Sequence, residues 1–286
     1  MHLVFLIFTL LSSAAWGQCQ DLPGGQVHYC VFATAGSTNP DVIYYFHGRF
    51  GEAEQWEKAD YYTAKVREEW RATGKPAPKV VSVSFGPVWL LAEKNASPYS
   101  GMFEIMRDQV IPAMEQVIGG TKGQRLILGE SMGGFNGLQL ALKTTLFHRA
   151  AILCAPIAYG ADPFSTVDEI NYWIQKSAAY AYYGEGNRSV IDESVGEMIT
   201  MANAVWQNRT NWQKSDPLIL AAAIDKSASP MSFYINAGFY DPYVLYEGNM
   251  ELVKLLLTKK MPVEWHPEWG GHCKIDIPSL ARFLVP

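Results

Sequence analysis

Apolar residues along this chain come in short runs, and the runs are separated by amphipathic stretches. Residues 26–32, 41–46, 79–85, 126–128, 150–156, 231–237 and 262–266 each read as strands, most of them too continuously apolar for a half-exposed sheet. Between them lie helical patterns. Residues 56–73 are charged and amphipathic, with Gly74 and Pro76 as stop signals. Residues 102–118 follow, with a kink expected at Pro112. Phe135, Leu138, Leu142 and Leu146 recur at helical spacing, residues 244–260 form another helix, and a short one closes the chain. Strands alternating with helices in this rhythm predict an α/β fold: a mostly parallel central sheet with helices on both faces. The rhythm breaks over 157–230, which has no strong strand but many aromatics (Phe164, Trp173, Tyr180, Trp206, Trp212). That segment is expected to be a helical insertion or cap over the carboxyl edge of the sheet.

The N-terminus carries a different pattern. Residues 3–11 are an apolar run too short to span a bilayer, followed by small residues and Ala15-Trp16-Gly17. Residues 1–17 therefore read as a signal peptide cut before Gln18, with a cut after Ala15 as the alternative, and 18–286 as one domain in a secreted or periplasmic protein. The n-region has His2 but no Lys or Arg. The four cysteines, Cys19, Cys30, Cys154 and Cys273, fit export and two disulfides, although three pairings are open. Cys19 with Cys30 is the local choice. Sequons at Asn95, Asn187 and Asn208 permit N-glycosylation where that machinery exists.

A net charge of −5 without a Lys/Arg cluster argues against nucleic acid and anionic membrane surfaces as partners. No phosphate or dinucleotide cradle occurs (no G-x-x-x-x-G-K-[ST], no G-x-G-x-x-G), and no H-E-x-x-H or C-x-x-C. No cofactor is expected. Glu264, His266, Glu268 and His272 lie close in sequence, but their spacing fits no common metal-ligand set.

The chemistry converges on Gly129-Glu130-Ser131-Met132-Gly133. A strand ends there and a helix begins, the context of a nucleophile elbow. The two glycines let strand and helix pass close to a strained apex. A serine needs a base, and the base needs an acid to orient it. Asp241, just past the strand ending near residue 237, and His272, in the loop after the last strand, follow Ser131 in the order Ser, Asp, His. Asp225 and Asp276 are poorer acids because neither directly follows a strand, and His266 reads as structural. Two amides should face the developing oxyanion: that of Met132, and that of Arg49 or its neighbour Gly48 after the strand at 41–46. The side chain of Arg49 reads as solvated, with the holding of an acidic group as the alternative.

His47-Gly48, Gly129-Glu130-Ser131-Met132-Gly133-Gly134, Asp241 and Gly271-His272 together resemble the α/β-hydrolases. The nearest likeness is the esterase group that includes esterase D and S-formylglutathione hydrolase, feruloyl and acetylxylan esterases, and antigen 85 acyltransferases. The resemblance covers roughly residues 26–285, with the cap least secure. It implies a serine carboxylic-ester hydrolase with Ser131 as nucleophile, His272 as base, Asp241 as orienter and the Arg49 and Met132 amides as oxyanion donors. It also implies a small-molecule or carbohydrate-linked ester as substrate; the alternatives are acyl transfer from the same acyl-enzyme and a catalytically silent hydrolase fold used as a binding module. Some secreted feruloyl esterases and tannases join a Cys beside the Ser to a Cys beside the His. Here Cys273 follows His272 but Glu130 precedes Ser131, so Cys154 is the substitute partner that the resemblance suggests.

Overall fold

The computed structural model describes residues 16–22, 25–225 and 231–286. The apolar run of the expected signal peptide lies outside the described residues. Eight strands form one sheet: β1 (Trp16–Asp21), β2 (His28–Ala33), β3 (Val42–Phe46), β4 (Lys79–Ser84), β5 (Arg125–Glu130), β6 (Arg149–Leu153), β7 (Ser232–Gly238) and β8 (Val263–Glu268). Their order is β1-β2-β4-β3-β5-β6-β7-β8. β2 is antiparallel to both its neighbours, and the pairings from β4 through β8 are parallel.

The helices are α1 (Tyr62–Ala72), α2 (Met102–Ile105), α3 (Ile111–Val117), α4 (Met132–Lys143), α5 (Val167–Gln175), α6 (Ala178–Tyr183), α7 (Arg188–Trp206), α8 (Arg209–Gln213), α9 (Pro217–Ala223), α10 (Tyr246–Thr258) and α11 (Ile277–Leu284). The centre of the sheet, β3 to β7, is buried on both faces, which is why those strands read as apolar runs. Ile43, Tyr45, Leu126, Leu128 and Leu153 pack with Val66 and Trp70 of α1 and Leu280 and Leu284 of α11. Their neighbours Tyr44, Phe46, Ile127 and Ile152 point the other way, against Leu138 of α4 and Leu252 of α10.

Three local readings change. The helix expected over 56–73 divides into a 3₁₀ turn, Ala53–Glu57, and then α1. The helix over 102–118 is continuous but opens into a π turn at Met106–Val110, just before Pro112, which has no N–H to donate to the preceding turn. β1 was not expected. It begins at Trp16, inside the segment read as leader, and Cys19 lies directly opposite Cys30 of β2. Those two cysteines form a disulfide, and Cys154 pairs with Cys273.

Within the region read as a cap, α5, α6 and α7 form the insertion, with a small core of Ile174, Ala179 and Ile191. α9, by contrast, packs against α4 and α10 as an ordinary layer helix. Among the described residues, no helix is long and apolar enough to cross a membrane.

This topology fixes where a site can lie. From β3 the chain crosses to β4 on one side, and later returns to β5 on the other. The loops leaving β3 and β5 therefore diverge, and a crevice opens between them at the carboxyl edge.

Candidate active site

Ser131 sits at the hinge between β5 and α4 with φ 50° and ψ −120°, in the left-handed half of backbone space. A non-glycine residue there is strained, and the surroundings hold it. Its amide donates to Leu153 O (2.8 Å) and its carbonyl accepts from Phe135 N (3.1 Å). Gly129 and Gly133 allow the close crossing. A Cβ on Gly129 would strike the Gly133 carbonyl, and one on Gly133 would strike the Phe46 and His47 carbonyls.

The loops after β7 and β8 bring Asp241 and His272 to this apex. Ser131 Oγ–H donates to His272 Nε2 at 3.0 Å, and His272 Nδ1–H donates to Asp241 Oδ2 at 2.7 Å. Asp241 is fully buried, and its Oδ1 accepts the Tyr243 amide (3.0 Å). The Tyr243 ring lies against the His272 ring, with centroids 4.7 Å apart. His272 is followed by Cys273, whose disulfide reaches Cys154 at the end of β6, Cα–Cα 5.2 Å. The loop carrying the imidazole is thereby tied to the strand beside β5.

The loop after β3 forms the opposite wall. His47 is buried, and burial holds its imidazole below the ordinary 6.5, hence neutral. Its Nδ1–H donates to Gly48 O (2.7 Å), and its Nε2 accepts from Trp89 Nε1–H (3.2 Å), which fixes the tautomer. Gly48 O and Arg49 N–H belong to one trans peptide and point in opposite directions. Holding that carbonyl to the buried His47 ring therefore turns the Arg49 amide away from that ring. The Gly48 amide is engaged with Glu130 Oε1 (3.3 Å), which leaves the neighbouring Arg49 amide as the candidate loop donor. Met132 begins α4, and its amide is one of the helix's first, which have no intrahelical acceptor.

The remaining candidates separate cleanly. Asp276 accepts from Ser279 N as the N-cap of α11, Asp225 is exposed just past α9, and His266 stacks on Tyr234. Glu264 lies 3.3 Å from His266, whereas His272 is directed to Asp241 and Ser131, so the four residues do not converge. Among the described residues, two other groups lie close enough to share a metal: Cys19, His28, Cys30 and Glu54, and Cys154, His272 and Cys273. In both, the cysteines are disulfide-bonded and offer no thiolate. The Arg49 side chain remains partly exposed but has an acidic partner. It pairs with Glu197 of α7 at 2.6 Å and lies over the Phe50 ring.

A cavity of about 290 Å³ opens over Ser131, lined by Gly48, Arg49, Met132, Tyr243 and His272 among others. A second chamber of about 120 Å³ adjoins it behind Met198, Met201, Tyr243 and Leu245, with walls from Phe135, Trp173, Ala202 and Trp206. Three features were not legible in the sequence: the Glu130 contacts, Tyr243 against His272, and the face that α7 turns to the cavity. Only the place of Tyr243, two residues after Asp241, offered a signal.

A family model described as "Putative esterase" matches residues 28–261. The chain belongs to the esterase family. It is a carboxylic ester hydrolase on an α/β-hydrolase fold. Several solved esterases share that fold at low identity. A ferulic acid esterase superposes with a TM-score of 0.63 at 13% identity, covering 96% of each chain. Carboxyl esterase 2 of the fungus Tuber melanosporum gives 0.57 at 17%, covering 94% of this chain and 83% of that one. An acetyl xylan esterase from Paenibacillus gives 0.54 at 14%, covering 97% and 84%. Among curated proteins, none matches the chain.

Proposed function

We propose that this esterase works through a covalent acyl-enzyme, with Ser131 as nucleophile, His272 as general base and acid, and Asp241 orienting the imidazole. The relay from Ser131 Oγ to His272 Nε2 (3.0 Å) and from His272 Nδ1 to a fully buried Asp241 carboxylate (2.7 Å) carries the reading. Ser131 Oγ attacks the ester carbonyl carbon while its proton passes to Nε2. The carbonyl electron pair moves onto oxygen, where the Arg49 and Met132 amides stabilise it. Collapse breaks the carbon–oxygen bond to the alcohol, which leaves with the proton from Nε2. Water then repeats the cycle in reverse roles and releases the acid. The buried aspartate keeps Nδ1 protonated, so Nε2 is free to accept.

The substrate is a small-molecule or carbohydrate-linked ester, and the aromatic second chamber supports an apolar group on it. The protein acts outside the cytoplasm after loss of residues 1–17; its two disulfides support that compartment. The N-terminal sequence of the mature chain recovered from the medium or periplasm tests this.

The decisive assay offers a short-chain chromogenic ester to the wild type and to Ser131→Ala. Turnover that vanishes in the variant is the expected result; equal rates in both would remove the mechanism. Added alcohol acceptors separate hydrolysis from transfer by whether a new ester forms.

A further inference from the structure

Glu130 stands where the period of its strand calls for an apolar residue. Leu126, Leu128 and Glu130 point to the same face of β5, and the first two lie in a dry core with Tyr45. Glu130 is 2% exposed. Burial holds its carboxyl above the ordinary 4.5, opposed by hydrogen bonds from Tyr61, Tyr45 and the Gly48 amide and by the nearby His272. Keeping a carboxylate there costs desolvation, which the donors that converge on it must offset.

What the carboxylate gains is contact with the loop after β3. Oε1 accepts both Tyr45 O–H (2.8 Å) and Gly48 N–H (3.3 Å), and Oε2 accepts Tyr61 O–H. Desolvation raises both tyrosines well above 10, so they remain donors at neutral pH. The ionisable groups facing Glu130 are thus Tyr45 of β3, Tyr61 and Tyr62 at the start of α1, and His272 of the loop after β8. Gly48 is pinned on both sides, its amide by Glu130 and its carbonyl by His47. Arg49 follows directly.

Resting on the mechanism proposed above, we infer that Glu130 is a positioning residue, whose carboxylate anchors the Gly48 amide and so holds the Arg49 amide toward the oxyanion. It borders the cavity over Ser131 but is only 2% exposed, and its polar contacts run to Tyr45, to the loop after β3 and to Tyr61. Replacing Glu130 by an apolar residue leaves three donors unpaired and lowers stability whatever its role. A positioning role is read instead in the folded enzyme: kcat falls while KM holds, and an acceptor restored at Oε1 rescues it.

The test compares Glu130→Met, which fills the space but accepts no hydrogen bond, with Glu130→Gln, which keeps an acceptor at Oε1. On a short-chain chromogenic ester, Glu130→Met is expected to lose ~10- to 100-fold in kcat with KM changed less than about threefold. Its affinity for an aryl boronic acid, which mimics the tetrahedral intermediate, should fall in parallel. Glu130→Gln is expected to recover kcat to within about threefold of wild type, with an unchanged or raised Tm. Wild-type kcat in Glu130→Met overturns the inference, as do equal losses in both variants with a lowered Tm. Should Glu130→Met not fold, Tyr61→Phe removes one donor from the same carboxylate; a several-fold loss in kcat alone supports the role, and wild-type behaviour counts against it. A wild type inactive on every ester would instead sink the mechanism, which these variants leave separately visible.

Discussion

Gly133 is where the elbow is least forgiving, because the first turn of α4 crosses the end of β3 backbone to backbone. A methyl group there would collide with the Phe46 carbonyl oxygen, which β3 cannot move without disturbing its pairing with Gly129. Gly133→Ala is therefore expected to cost about 1–3 kcal/mol in stability, the usual penalty for overpacking, and most of the activity. Urea unfolding together with ester turnover checks it, and a fully active variant of normal stability would contradict the crossing. Ser131, Asp241 and His272 were legible in the sequence because each follows a strand end and their order is constrained. Glu130 and Tyr243 were not, because nothing in a lone residue type tells whether it will meet Gly48 or His272 across the fold. The partner of the Arg49 side chain was not legible for the same reason: Glu197 comes from a helix whose placement no local pattern specifies.

β1 shows the same limit for a whole element. Its residues are mostly polar, it lies on the sheet edge, and its first two positions read as leader, so no periodicity marks it. Tertiary partners make it a strand: the pairing with β2, the Cys19–Cys30 bond, and His28, which bridges Asp21 of β1 and Glu54 of the following 3₁₀ turn at 2.7 and 2.8 Å. Asp21 first, then Glu54, raise His28 above its ordinary 6.5. A raised histidine stabilises the fold fully below that value, and the contribution fades as pH climbs through the folded-state value. The Tm gap between wild type and His28→Gln should thus be wider near about pH 6 than near about pH 9; a gap that does not vary removes the clamp. The second disulfide bears on the site directly. Cys154→Ala with Cys273→Ala opens a bridge spanning 119 residues and is expected to cost about 2–4 kcal/mol. Because Cys273 adjoins His272, kcat should fall while KM holds. Calorimetry and steady-state kinetics read the two effects apart, and loss of stability with unchanged kcat would mean that the bridge braces the fold alone.

At the scale of the whole molecule, a parallel sheet supplies the chemistry and the inserted helices supply the shape of what enters. The central strands β3 to β7 were readable because they are buried on both faces. The arrangement of α5, α6 and α7 was not, since their apolar stripes can pack against one another or against the sheet edge with equal local logic. The structure uses α7 for both: Ile191 faces the small core of the insertion, while Met198, Met201 and Ala202 face the two chambers. Ala202 is nearly buried and borders only the inner chamber, beside Trp206 and away from Ser131 and His272. Ala202→Phe should fill much of that about 120 Å³ space while leaving the relay and its amides untouched. Esters with a single methyl on either side need only the outer cavity, so their kcat/KM should stay within about threefold. Aryl or branched esters that enter the inner chamber should lose ~10-fold or more, the scale on which apolar pockets discriminate by size. Two substrate series, one varying the acid and one the alcohol, then assign the chamber: the series that responds to Ala202→Phe is the half of the ester that it holds. A uniform loss in both, methyl esters included, would mean that the chamber supports the fold of the cap and does not receive substrate.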